Sequence, residues 1–487
     1  MRQVKKLFYI IFCLSIFDHS HAQAPKEEIQ EMRGGDRPSF HVTPRPARKT
    51  NHSSPRTTPT IPDIAELTII ILVQASNNLE SFAHKNMKEI MKWGSTPHVN
   101  ILVDLHKTGD KSWRYKIEQG CLVVEEVLAR DTAASITTEV IDTARWAITK
   151  YPAKKYAIIF WNHGLGCLDP IQDKNKTTHL QPYNDFWRLA PLLGPQSTEQ
   201  HPGEYLSRAL AHSIPADRSI LFDDERNTYL SNEGLNTALK TISEELLGGK
   251  KIDLIGMDAC LMGMIEIADQ IKDYAAYFVA SEEFEFAQGW PYGDIIGKII
   301  AQPTMSPKDL GKLIVNEFGA HYSNRTSYFT LACIDLSYIQ SIKECIHALS
   351  QTLLVAKKTD PERMRLFIQQ ARCQALSFSL SDYVDTHSFC KELIKLSTYV
   401  LDNPRNKTTP TPQISIDVLK KIQALTTQIT SLINTAVVAN TTGRYLSRAG
   451  GLSIYFPQRI IDRSYGSTIF AQTTEWPLLI AAQLDKR

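Results

Sequence analysis

Two apolar runs that each break off at a reactive side chain constrain this chain more than any other feature. Tyr156-Ala-Ile-Ile-Phe-Trp161 ends in Asn162-His163-Gly164, and Ile252-Asp-Leu-Ile-Gly-Met257 ends in Asp258-Ala259-Cys260. Short apolar runs bounded by turn chemistry read as buried strands of a parallel sheet, which needs helices on both faces. Ligands of such sheets bind beyond the carboxyl ends of the strands. His163 and Cys260 are therefore expected together at one sheet edge, where an imidazole and a thiol can act on one substrate.

The rest of the pattern agrees. Leu67 to Val73 reads as a β-branched strand, Asn77-Asn78 as a turn, 79–93 as a helix and Val99 to Leu105 as a second strand. Trp113 to Ile117 and Cys121 to Val127 suit a hairpin, and helical stretches over 135–151 and 235–247 lead into the two reactive strands. Strands alternating with helices predict an α/β fold over 63–300, a mostly parallel sheet flanked by helices. Residues 168–216 are rich in Pro, Gly, Asn, Gln and His with little periodicity, and read as an exposed insertion open to proteolytic nicking. Beyond residue 300 the apolar spacing turns helical, over 307–318, 336–354, 361–374, 388–400 and 414–434, with one late strand at 451–456. Residues 301–487 thus read as a mainly helical C-terminal domain.

With 487 residues, 43% of them hydrophobic and 22% charged, and a formal net charge of +2, the chain has the balance of an ordinary globular protein long enough for two domains. Nothing in that balance points to nucleic acid as a partner. Arg2, Lys5 and Lys6 precede the apolar run Leu7 to Phe17, and small residues lead up to Ala22. Residues 1–22 therefore read as a cleaved secretory signal, too short for a lasting membrane anchor, and the expected location is secreted or periplasmic. Residues 23–62 read as a disordered linker or propeptide. From Arg37 to Pro62 there are six prolines, five basic residues and no acid, too little apolar surface to offset the ordering entropy. Seven cysteines follow the signal, an odd number that leaves a thiol free or shared between chains. HExxH, CxxC, phosphate-loop and GxSxG patterns do not occur.

After Cys260, apolar residues at Leu261, Met264, Ile265, Ala268 and Ile271 share one helical face. That spacing puts the thiol at a helix N-terminus, where the dipole favours thiolate and free N–H groups can bind an oxyanion. Gly164 lets its own peptide N–H approach a ligand closely. A lone Cys in an apolar run is more often a core filler, and a lone His at a strand end a capping group. The pairing on two like strands, with Gly164 and Asp258 beside them, outweighs that reading.

At this point the chain resembles the clostripain family of cysteine peptidases, whose caspase-like fold is shared with legumains, gingipains and caspases. The segments that carry the resemblance are LTIIILV followed by NNLE, AIIFWNHGLG, FDDERNTYLSNEGLNTAL, IDLIGMDACLMGMIE, VASEEFEFAQGWPY and AGGLSIYFP. The resemblance implies a cysteine endopeptidase acting on protein or peptide substrates, with Cys260 as nucleophile, His163 as general acid/base and the N–H groups of Gly164 and Cys260 as the oxyanion hole. It also makes Asp258 the carboxylate of the pocket for the residue before the scissile bond, with a preference for Arg or Lys. Gln288 stands before Gly289-Trp290 where the family often has a second acid, and the nearby Glu283 and Glu285 read as parts of a solvated loop. Gln74 to Asn78 replaces a segment with aspartates in the family, a change expected to be structural.

Some members use calcium, which Asp223-Asp224-Glu225 could ligate, although a solvated turn is the simpler reading; no other cofactor is implied. His387 and Cys390, three residues apart on a helix, read as packing residues. The family commonly matures by cleavage after the catalytic His, here within 168–216 among Lys174, Lys176, Arg188 and Arg208, with the two lysines favoured. Two other classes stay open: a catalytically weak binding module on the same fold, and a thiol amidase acting on a small molecule.

Overall fold

A computed structural model describes residues 64–130, 134–170, 220–403 and 414–484. The signal, the linker and most of the insertion, including Lys174, Lys176, Arg188 and Arg208, lie outside the described residues.

The chain begins with β1 (Ala65–Ala75), α1 (Glu80–Met91), β2 (Val99–Lys107), the hairpin of β3 (Lys111–Glu118) and β4 (Cys121–Ala129), α2 (Ile136–Lys150) and β5 (Ala153–Trp161). Then come α3 (Asn232–Thr241), β6 (Ile252–Asp258), α4 (Ile265–Ile271), β7 (Ala275–Ala280), α5 (Tyr292–Ala301), α6 (Pro307–Tyr322) and β8 (Thr330–Asp335). The rest is α7 (Ile339–Thr359), α8 (Pro361–Gln374), β9 (Tyr383–Asp385), α9 (Thr386–Asp402), α10 (Ile416–Ala436), β10 (Val437–Thr442), β11 (Ser453–Tyr455), α11 (Ile469–Thr473) and α12 (Trp476–Leu484). Local chemistry starts the helices where they start. Ser135, Ser231 and Ser306 accept from the N–H three residues on, and Pro307 occupies the first turn of α6, where its missing N–H costs nothing.

The main sheet runs β10-β8-β7-β6-β5-β1-β2-β3-β4. Its centre, β7 through β2, is parallel, and both flanks are antiparallel. Central strands buried on both faces require unbroken apolar runs, and the side-chain alternation divides each run between two cores. Ile70, Leu72, Ile158, Phe160, Ile255 and Met257 pack with residues of α2, α3 and α4. Leu67, Ile69, Ile71, Ile159 and Leu254 pack with residues of α1, α5 and α6.

Beyond residue 300 the expected helices are present, but β8 and β10 also join the main sheet. The late strand is shorter than expected and pairs with β9 in a separate two-stranded sheet. From there Ser453 N–H donates to Gly263 O at 2.9 Å, tying β11 to the turn after β6.

Candidate active site

The site follows from strand register. The last pair between β5 and β6 sets Trp161 against Asp258, and Asn162 N–H donates to Asp258 O at 3.3 Å. The residues after each strand therefore leave the sheet side by side. His163 and Cys260 reach the same cleft, which is also lined by Leu79, Phe286, Ala287, Asp258 and Glu285. A Cβ on Gly164 would lie 2.4 Å from Cys260 O, so only glycine lets the two turns meet this closely. The N–H groups of Gly164 and Cys260 donate to no backbone acceptor among the described residues.

The helix expected to begin at the thiol does not begin there. Leu261 adopts a left-handed φ of 63°, and α4 starts at Ile265 and spans only seven residues. The apolar spacing that imitated a continuous helix instead buries Leu261, Met262 and Met264 in the core from an irregular turn. The macrodipole thus gives the thiol little help. Sγ accepts from Glu285 N–H at 3.3 Å and its hydrogen is directed to Glu285 O at 3.6 Å. Burial, reinforced by the neighbouring carboxyl groups and only partly offset by that N–H, pushes the thiol well above its ordinary range.

His163 is held from β1. Its Nε2 lies 2.8 Å from Asn78 Oδ1, and its N–H donates to Asn162 Oδ1. Asn162 in turn donates to Gln74 O and to Phe222 O, which also accepts from Asn77 Nδ2 at 3.0 Å. The Gln74–Asn78 segment, expected to be a structural change alone, thus supports the imidazole directly. Asn78 was the residue that sequence reasoning missed. Its only signal was the NNLE segment, read as a turn.

Asp258 is buried, and its Oδ2 accepts from Trp290 N–H at 3.1 Å and Tyr292 O–H at 2.9 Å. Glu285 is buried beside it and accepts from Trp290 Nε1 at 3.0 Å. Glu283 accepts from Phe284 N–H at 2.8 Å and Ser379 N–H at 3.1 Å. The solvated-loop reading of these glutamates is therefore corrected. Leu261 N–H donates to Glu283 O and Gly263 N–H to Ser281 O, folding the 281–285 segment onto the turn after β6 and away from water. Gln288 has an exposed side chain and is fixed through its backbone carbonyl by Asn86.

The solvated-turn reading of Asp223-Asp224-Glu225 holds for the exposed Glu225 and fails for Asp223. Asp223 is fully buried and ion-paired with Arg130 and Arg226, while Arg130 also reaches Glu225 at 2.6 Å. Guanidiniums already occupy these oxygens, so the donor set does not fit calcium. Among the described residues no group of three or more His, Cys, Asp or Glu is arranged to hold a metal ion. His387 and Cys390 are buried on α9, and all seven cysteines from Cys121 to Cys390 are free thiols.

Comparison with known proteins places the chain in a family. The profile of the clostripain family, peptidase family C11, matches residues 71–186 and 203–459. Clostripain from Hathewaya histolytica is 25% identical over 289 residues, covering 53% of this chain and 52% of its own, so the chain spans about half the length of that relative. Among solved structures, an inactive zymogen C11 protease from Parabacteroides distasonis superposes with a TM-score of 0.54 at 17% identity, over 85% of this chain and 99% of its own. A secreted C11 cysteine protease from Bacteroides thetaiotaomicron, solved with an irreversible peptide inhibitor, gives 0.53 at 17% identity over the same shares. At that identity the two structures establish the fold.

Proposed function

Because this chain belongs to the clostripain family, we propose that it is an exported cysteine endopeptidase that cuts peptide bonds after Arg or Lys. The observation that carries the proposal is the Trp161–Asp258 register, which delivers His163 and Cys260 into one cleft above a buried carboxylate. Export rests on the basic and apolar leader of residues 1–22. Among the described residues no helix is long and apolar enough to cross a membrane.

In the proposed mechanism a basic side chain of the substrate pairs with Asp258. The Cys260 thiol loses its proton to the unprotonated nitrogen of His163 as Sγ attacks the scissile carbonyl. An acceptor oxygen at Nε2 requires the Nε2–H tautomer, so Nδ1 is the atom that exchanges the proton. The N–H groups of Gly164 and Cys260 stabilise the oxyanion, the imidazolium protonates the leaving amine, and water then hydrolyses the thioester. Burial keeps the resting thiol protonated, so proton transfer has to accompany attack.

Maturation by cleavage between His163 and Cys260 belongs to the same reading. Lys174 and Lys176 are the favoured sites, and a Cys260→Ala chain should stay intact where the wild type yields two associated fragments. The deciding experiment is a peptide library varied at the residue before the cut, run with wild type and Cys260→Ala. The expected outcome is cleavage after Arg and Lys by the wild type alone. Unchanged turnover in the alanine variant would falsify the thiol assignment, and binding without turnover in either protein would favour the binding module.

A further inference from the structure

We propose that Glu285 is held protonated and donates its carboxyl hydrogen to Asp258, so that the pocket offers a substrate cation one negative charge instead of two. The proposal rests on reading Asp258 as the pocket carboxylate. The two carboxyl groups are in side-chain hydrogen-bond contact. Neither brings a donor to that contact unless one of them is protonated. Both residues are at least 95% buried. Trp290 clamps the pair through its N–H on Asp258 and its Nε1 on Glu285. Among the described residues Glu285 Oε1 receives no donor, a heavy cost for an ionised carboxylate and a small one for a carboxylic acid.

The surroundings favour the proton. Tyr292 on α5 donates to Asp258, and Tyr322 on α6 spends its hydroxyl on Gly289 O at 2.8 Å. The other titratable groups around the pair are Cys260 with Glu283 beside it, His163 in the same cleft, and, beyond Tyr292 and Tyr322, Glu89 on α1 and Arg325. Arg325 acts on Tyr322 and not on the pair itself, and among the described residues neither carboxyl of the pair forms an ion pair with Lys or Arg. Desolvation raises both groups, and the donors place the proton on Glu285: Asp258 accepts from two of them, Trp290 N–H and Tyr292 O–H, and Glu285 from Trp290 Nε1 alone. A guanidinium entering beside the pair then meets one charge and leaves the buried site neutral. As pH falls, Asp258 takes up a second proton, the pair becomes neutral, and preference for a cation disappears.

The test compares two peptides that differ only in Arg or its uncharged isostere citrulline before the cut, measured from about pH 8 down to about pH 4.5. In the wild type the Arg/citrulline ratio of kcat/KM should be high at the alkaline end and fall by up to about tenfold per pH unit on the acid side, through KM and not kcat. Glu285→Gln keeps a hydrogen-bond donor and should lower the ratio at pH 8 by less than about fivefold. Glu285→Leu removes the donor and should lower it by more than about thirtyfold while moving the profile to higher pH. A collapse in Glu285→Gln as deep as that of Asp258→Asn means two charges are needed and overturns the proposal. A second readout needs no turnover: the infrared difference spectrum of wild type minus Glu285→Gln at pH 8 should contain the carbonyl stretch of a protonated carboxylic acid. Its absence overturns the proposal, whereas its presence without any Arg preference keeps the pair and removes the pocket reading of Asp258 instead.

Discussion

Asn78 shows how much of the proposed chemistry hangs on one side chain outside the proposed catalytic pair. Its Oδ1 lies 2.8 Å from His163 Nε2, and in the proposed mechanism that contact selects the tautomer in which Nδ1 moves the proton. Asn78→Ala should therefore lower kcat by about 10- to 100-fold with little change in KM, whereas Asn78→Asp, which keeps the acceptor, should recover most of it. Equal losses in kcat and KM would point to a collapsed cleft instead. Gly164→Ala tests the contact between the two turns. The new methyl meets Cys260 O at 2.4 Å, and the backbone must move apart, so turnover should drop by more than about 100-fold even if the protein remains folded by circular dichroism. Asp258→Asn removes the charge proposed to pair with the substrate, and the expected cost is about 3 kcal/mol, or roughly a hundredfold in kcat/KM for Arg peptides. The histidine, the thiol and this carboxylate were legible because each ends an apolar run. Asn78 was not, since a turn-forming Asn and a histidine-orienting Asn look alike without the fold.

Among the elements, β5 and β6 were readable for the same reason that they are central: strands covered on both faces leave no polar position to blur the pattern. β10 lies at the sheet edge and ends in Asn440-Thr441-Thr442, following α10 without a break, so its period was lost in the helix before it. The turn after Cys260 was misread because burial of Leu261 and Met264 mimics a helical stripe, while the positive φ of Leu261 has no signature in a leucine. That turn is held by β11 through Ser453 N–H and Oγ, both on Gly263 O. Ser453→Pro deletes the N–H and should cost about 3 kcal/mol of stability. It should also lower turnover below the unfolding temperature, where a lesion confined to the C-terminal strands would leave activity intact. Thermal unfolding and kcat measured on one preparation separate the two.

Across the whole molecule, the main misjudgement was of charge. Acids in a polar-looking segment such as SEEFEF read as solvated, but long-range folding buries Glu282, Glu283 and Glu285, as it buries Glu266 and Asp385. Burial raises all five, with Glu266 pushed up to about 7. A carboxyl raised on folding adds stability that is fully present below its unfolded value and is lost as pH rises through its folded value. Asp104 and Asp223 act oppositely: despite burial, His106 holds the first low and Arg226 and Arg130 the second, so their contributions vanish only in stronger acid. The protein should therefore be most stable in mild acid and lose stability from about pH 4.5 to about pH 7. Glu266→Gln keeps an acceptor for Tyr455 N–H and Tyr465 O–H and should remove about 3 kcal/mol of that decline. Parallel pH curves for the two proteins would count against this account.

The clasp on Gly263 also sets a timetable. Its partner lies 190 residues further along the chain, so a ribosome releases the thiol long before it releases the strand that fixes the turn beside it. A nascent chain thus carries both groups without an assembled centre, and for the proposed peptidase the order of manufacture would act as a safety catch.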